Sequence, residues 1–132
     1  MNPELINLPK FLDFRGNLSF IEEDTHIPFP VRRVYWIYDV PGGEHRGGHA
    51  YRETEELIVA LSGSFDVKLH DGEKEFLFPL SRSYYGVLVP KMIWRTLENF
   101  STNALALIIA STEYSDKDYM RDFEEFCKLK LG

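Results

Sequence analysis

The sequence predicts an all-β domain, a sandwich or barrel of short strands, closed by a single C-terminal helix. Three observations carry this. Runs of β-branched and aromatic residues recur at roughly ten-residue intervals with turn residues between them. Aromatic side chains make up 14% of the chain, which suits pleated, half-buried surfaces. The period then changes in the tail SDKDYMRDFEEFCKLKLG, where apolar residues return at helical spacing.

The first turn is Asp13-Phe14-Arg15-Gly16-Asn17, with Gly16 free to take a positive φ and Asn17 tolerant of one. LSFIEE follows as a candidate strand on the alternation of Leu18, Phe20 and Glu22, and Pro28 and Pro30 then punctuate the chain. VRRVYWIYDV is the strongest strand signal, with Arg33, Tyr35 and Ile37 on one face and Val34, Trp36 and Tyr38 on the other. Pro41-Gly42-Gly43 ends it.

The stretch from Arg46 to Gly72, RGGHAYRETEELIVALSGSFDVKLHDG, is the organising part of the chain. His49 and Tyr51 stand two residues apart, so an extended strand points both to one face. Glu53 and Glu55 share that parity if the strand continues, whereas Arg52-Glu53-Thr54 reads equally as a turn. ELIVAL is a buried strand, Ser62-Gly63-Ser64 a tight turn, and SFDVKLH its half-buried partner with Phe65, Val67 and Leu69 inward. EKEFLF, YYGVLVP, IWRTLENF and NALALIIAS supply four more strands. The helix is predicted over about 115–130, with Ser115 as its cap, Asp118 three residues on, and a stripe of Tyr119, Phe123, Phe126 and Cys127. Acids come early in it and lysines late, as the helix dipole favours.

One domain spanning 1–132 accounts for the length, and 44% hydrophobic residues exclude a disordered chain. A net charge of −6 argues against nucleic-acid binding, while arginines at eight positions still allow one phosphorylated metabolite to be held. Cys127 is the only cysteine, so no internal disulfide forms and a reducing compartment is expected. The start MNPELINLPK lacks the pattern of a signal peptide, and no apolar run reaches the ~20 residues of a membrane span. A cytoplasmic protein is the expectation.

With these residues laid out, the chain resembles the cupin sugar-nucleotide 3,4-ketoisomerases, the WxcM-like group. The resemblance rests on Asp13-Phe14-Arg15-Gly16, RRVYWIYDV, RGGHAY, LSGSFDVKLHDG, VPKMIW, ENFS and DYMRDFEEF, dispersed in order over nearly the whole chain. It implies a cupin jelly roll, a homodimer that can exchange N-terminal strands, and an active site inside the barrel without metal or organic cofactor. It also implies a dTDP-4-keto-6-deoxyhexose substrate, converted to its 3-keto isomer in deoxyamino-sugar biosynthesis. The family pattern after Arg-Gly is usually His-Ala-His, and this chain departs from it with His49-Ala50-Tyr51; where many relatives carry a later histidine it has Trp94-Arg95.

Moving a ketone from C4 to C3 requires loss of the C3 proton, an enediolate, and a proton returned to C4. His49 suits the base, since imidazole titrates near neutrality. Tyr51, with an ordinary pKa of ~10, suits a proton donor or a group that steadies the enediolate. By resemblance, Arg15, Arg33 and Arg46 are the candidates for the diphosphate, with Arg15 reaching a neighbouring subunit's pocket if strands are exchanged. Tyr35 and Trp94 are candidate walls for the base or sugar, and Arg95 completes the set. Taken alone, His49 and Tyr51 read as readily as a hydrogen-bonded histidine and a packing aromatic. Three other readings stand beside the enzyme: a non-catalytic sugar-nucleotide binder that lost its base at position 51, a sugar-nucleotide epimerase, which shares the Asp-x-Arg-Gly turn but matches less well elsewhere, and a metal-binding cupin using His49 and Glu55. The metal reading is weak, because Tyr51 and Arg95 occupy the remaining ligand positions and three protein ligands are the usual minimum. His26, His45 and His70 are expected in solvated or turn settings.

Overall fold

Alternating inward side chains close two antiparallel sheets over one apolar layer. The computed structural model describes residues 1–132. Its strands are β1 (Glu4–Asn7), β2 (Arg33–Ile37), β3 (Arg46–Tyr51), β4 (Glu56–Ser62), β5 (Phe65–His70), β6 (Glu75–Leu80), β7 (Tyr85–Val89), β8 (Trp94–Glu98), β9 (Leu105–Ala110) and β10 (Tyr119–Met120), followed by helix α1 (Phe123–Leu131). One sheet runs β1-β7-β4-β9-β2 and the other β10-β3-β8-β5-β6. Every strand pairing within them is antiparallel. This is the all-β architecture that the strand pattern predicts, in the cupin jelly-roll form that the resemblance implies.

The core between the sheets gathers Ile58, Phe65, Val67, Leu69, Leu80, Val87, Ile93, Leu97 and Ile108, all buried. Each such side chain contributes about 1.5–3 kcal/mol through the apolar surface it removes from water. β4 is apolar on both faces because Leu57 and Val59 turn outward under the N-terminal segment, against Leu8, Ile27 and Phe29. That second cover explains why ELIVAL lacks alternation. A third, smaller cluster of Ala50, Met120 and Phe126 seats α1 on the outside of the second sheet.

Two predicted elements are corrected. Residues 18–23 form no strand: Leu18 and Glu23 make only isolated bridges, to Phe11 and Ile27, and Leu18 and Phe20 remain exposed. The helix is shorter than 115–130. Its N-cap is Asp122, whose side chain accepts the amide of Glu125 at 3.2 Å, and Ser115 makes no side-chain cap. Between them lie a short 3-10 turn (Asp116–Asp118) and β10. Tyr119 and Met120 carry enough apolar surface to mimic a helical stripe, but β10 pairs with β3 in the register Tyr119↔Tyr51 and Met120↔Ala50. Strand β1, four residues long, is a second strand, in addition to β10, that sequence periodicity missed.

Candidate active site

The two sheets leave a cavity of about 310 Å³ lined by Tyr35, Ile37, Arg46, Gly47, His49, Tyr51, Arg95, Tyr119 and Arg121. Inward parity on four strands supplies its chemistry. β2 contributes Tyr35 and β3 contributes His49 and Tyr51. Arg95 of β8 stands directly across from His49, and Tyr119 of β10 directly across from Tyr51. The His49, Tyr51 and Tyr119 rings lie 4.8 Å apart, centroid to centroid, in all three pairings.

Arg95 and Glu56 form the floor. Both are fully buried, and Arg95 Nε donates to Glu56 Oε1 at 2.5 Å. Arg95 Nη2 also donates to the Tyr35 hydroxyl at 2.7 Å, and that hydroxyl donates to Glu56 Oε2. The hydroxyls continue outward: Tyr35 and Tyr51 stand 3.3 Å apart, and Tyr51 donates to Tyr119 at 3.3 Å. Gly47 gives this assembly its room. It adopts φ +78°, and a Cβ there would collide with Arg95 Nη1, so only glycine meets both demands without strain.

A tight junction brings β10 to β3. Past Tyr51 the chain turns instead of continuing, and Asp118 ties the turn by accepting the Glu53 amide at 2.6 Å and bonding Thr54 Oγ1. The turn resets parity. Glu56, not Glu55, therefore points inward, while the Glu55 amide is held by Ser111 Oγ at 2.8 Å. Glu55 is thereby removed from the candidate metal set, and the Glu56 carboxylate is already bound to Arg95. No group of three or more His, Cys, Asp or Glu side chains gathers as a metal-ligand set.

Burial, aided by the charges of Arg95, Arg121 and Arg33, lowers the His49 pKa to about 3. Its imidazole is neutral at physiological pH, and Nε2 is buried with no hydrogen-bond partner. With no partner inside the protein, that nitrogen is free to exchange a proton with a bound molecule. Burial also pushes the Tyr51 phenol well above its ordinary range, with the Glu56 charge adding to it and Arg95 opposing. Tyr51 thus stays protonated at rest, as a hydrogen-bond donor.

The predicted residues divide as follows. His49, Tyr51, Tyr35, Arg46 and Arg95 meet at the cavity, and Arg33 lies close enough for its charge to act on His49. Arg33 Nε is buried without a partner. Trp94 is a correction. Beside inward Arg95 it must face outward, where its ring lies 5.3 Å from Phe123 and lines a separate groove with His45, Lys68 and His70. Arg15 is exposed and paired with Asp13 of its own turn at 2.9 Å, away from this chain's cavity. His26 and His70 cap local turns, accepting the amides of Glu22 and Gly72. Sequence reasoning missed Glu56, Tyr119 and Arg121. An acid heading an apolar strand was the available signal for Glu56; the other two were hidden by the helix assignment.

Residues 1–131 match the FdtA family, WxcM-like, C-terminal. The chain belongs to that family. Among FdtA-family relatives, the TDP-4-oxo-6-deoxy-alpha-D-glucose-3,4-oxoisomerase of Aneurinibacillus thermoaerophilus is 38% identical over 97% of this chain and 92% of its own length. A 3,4-ketoisomerase from Helicobacter canadensis superposes with a TM-score of 0.96 at 34% identity, over 100% of this chain and 99% of that one. QdtA, a sugar 3,4-ketoisomerase of Thermoanaerobacterium thermosaccharolyticum solved with TDP, has a TM-score of 0.96 at 28% identity, covering 98% and 95% of the two chains. The FdtA-family fold therefore extends over the whole of this molecule.

Proposed function

We propose that this protein is a sugar-nucleotide 3,4-ketoisomerase acting on a dTDP-4-keto-6-deoxyhexose, without metal or organic cofactor, in deoxyamino-sugar biosynthesis. The observation that carries the reading is the buried, unpartnered Nε2 of His49, facing a cavity ringed by cations. His49 removes the C3 proton. Negative charge then develops on the sugar oxygens, where Arg95 and the phenols of Tyr51 and Tyr119 stabilise it. As the imidazolium forms, the enediolate beside it offsets the neighbouring positive charges, so a base of low resting pKa still accepts the proton. A proton delivered to C4 completes the isomerisation.

Arg33, Arg46 and Arg121 are read as the diphosphate grip, consistent with a relative that is solved with TDP. The protein is further read as a cytoplasmic homodimer that exchanges N-terminal strands. The apolar side chains exposed in that segment, Phe11, Leu12, Phe14 and Leu18, support the exchange, and it would carry Arg15 toward the partner's cavity. Sedimentation of the intact protein tests the dimer: a monomer at all concentrations rejects it.

The activity is tested by following dTDP-4-keto-6-deoxyglucose by NMR in D₂O with the wild-type protein and with Tyr51→His. A new 3-keto signal with deuterium at C4 is the expected result for the wild type. Turnover by Tyr51→His alone identifies the natural protein as a nucleotide-sugar binder, and bound substrate without turnover by either overturns the isomerase.

A further inference from the structure

Strand β10 is too short to hold itself in place. Two residues pair with β3 at the edge of the sheet, and a ladder of that length supplies few bonds against the freedom of the chain. Yet β10 carries Tyr119 into the cavity and leads directly into Arg121. What fixes it lies at its two ends. Met120 sits in the apolar cluster with Ala50 and Phe126. Asp118, one residue before the strand, is hydrogen-bonded on both carboxylate oxygens.

Those bonds cross from one sheet to the other. Asp118 Oδ1 accepts the Glu53 amide at 2.6 Å and Oδ2 accepts the Thr54 hydroxyl, while the Asp118 carbonyl accepts the Arg52 amide at 2.9 Å. A carboxylate only accepts, so the single Thr54 proton points to Asp118, and the Thr112 hydroxyl, 2.6 Å away, donates to Thr54. Thr54 is buried just ahead of β4, and Thr112 follows β9; both strands belong to the first sheet. Asp118 itself lines no part of the cavity. It faces an outer polar groove with Arg52, Glu53 and Thr112.

The segment anchored in this way links two guanidinium groups through aromatic rings. Arg121 lies over the Tyr119 ring at 4.3 Å, the Tyr119 and Tyr114 rings are 5.8 Å apart, and Arg33 lies 5.6 Å from the Tyr114 ring. Arg33 comes from β2 of the first sheet and Arg121 from just beyond β10 of the second, so their separation depends on how the sheets are joined. Arg121 makes one ion pair, with Asp116 at 3.2 Å, but both side chains are exposed and the pair holds it weakly. Resting on the reading of Arg33 and Arg121 as the diphosphate grip, we infer that Asp118 is a positioning residue: through Thr54 and Thr112 it clasps β10 to the first sheet and holds Arg121 at the distance from Arg33 that the diphosphate requires. The role belongs to the geometry of the hydrogen bonds, not to the charge of the carboxylate.

The test is a double-mutant cycle on thymidine diphosphate binding, measured by calorimetry on the intact protein. Asp118→Ala should weaken binding ~10-fold in the wild-type background and by no more than ~2-fold in Arg121→Gln, because the group it places is already gone. Thr54→Val, which keeps the shape and removes the hydroxyl, should share the loss, and Thr54→Ser should bind as the wild type does. Asp118→Asn should also bind normally: its oxygen keeps the Glu53 amide, and its NH₂ donates to Thr54 once both threonine hydroxyls turn. Equal losses for Asp118→Ala in the two backgrounds overturn the inference, since a fold that is merely weakened would behave that way. So does an affinity in Asp118→Asn as low as in Asp118→Ala, which would assign the effect to charge. If Arg121→Gln binds as tightly as the wild type, the diphosphate reading fails and the clasp with it. Coupling in a protein that makes no 3-keto product upholds the clasp and removes the isomerase reading alone.

Discussion

Arg95 and Glu56 face one another across the barrel with Nε and Oε1 2.5 Å apart and both side chains closed to water. A guanidinium cannot shed its charge inside a protein, so this pair is stable only while intact. Glu56→Gln should destabilise the fold by ~3–5 kcal/mol, the usual consequence of stranding one partner of a buried pair. Urea unfolding measures this, and an unchanged midpoint would mean that Arg95 finds an equally good counter-charge elsewhere.

His49 links the site to acid stability. Its folded pKa of about 3 lies below the ordinary 6.5, so the unfolded chain binds the extra proton first as pH falls. The stability this group contributes is complete above about 6.5 and is lost as pH falls toward about 3. Thermal unfolding from pH 8 to 4 should show wild type losing stability more steeply with falling pH than His49→Gln. Parallel curves would assign the acid sensitivity to other groups.

The same substitution bears on turnover. His49→Gln should lower kcat by at least ~10²-fold while thymidine diphosphate still binds. A fall in affinity with kcat preserved would make His49 a binding group.

Gly47 is held at φ +78° against Arg95. Gly47→Ala should therefore cost more than ~1 kcal/mol through backbone strain, and should slow turnover by displacing Nη1. A chemical-denaturation midpoint equal to that of the wild type would show that the strand relaxes to admit the methyl group.

The cations at the cavity should govern affinity. Arg33→Gln and Arg121→Gln are each expected to weaken thymidine diphosphate binding ~10-fold or more, the scale of one charge-assisted hydrogen bond. Calorimetry at two salt concentrations should find the loss larger at low salt. Affinity independent of both residues would place the diphosphate elsewhere.

Seven of the ten strands were legible as runs of β-branched and aromatic residues, since β2 and β4 to β9 differ from their flanking turns in composition. β3 was read from the parity of His49 and Tyr51, which also placed both in the cavity. Legibility failed where contacts distant in sequence decide local structure. The turn at residues 52–55 is made by Asp118, and without it Glu55 had the better claim to the interior than Glu56. β10 exists because β3 offers it an edge; in isolation DYMRDF reads as the start of a helix. Trp94 and Arg95 were both drawn toward the site, although neighbours on a strand face opposite sides. The resemblance marked both positions, and only the pairing of His49 with Arg95 chose between them.

The cavity draws its walls from strands as far apart in sequence as β2 and β10, and this dispersal governs when the site can exist. A ribosome that has released β9 has already exposed every residue of the apolar layer between the sheets, yet Tyr119 and Arg121 are still to come. The nascent chain can collapse before it can grip a nucleotide. Thymidine diphosphate should accordingly not stabilise a fragment ending at residue 115, and pulse labelling with a conformation-sensitive ligand would time the last step of assembly to the arrival of β10.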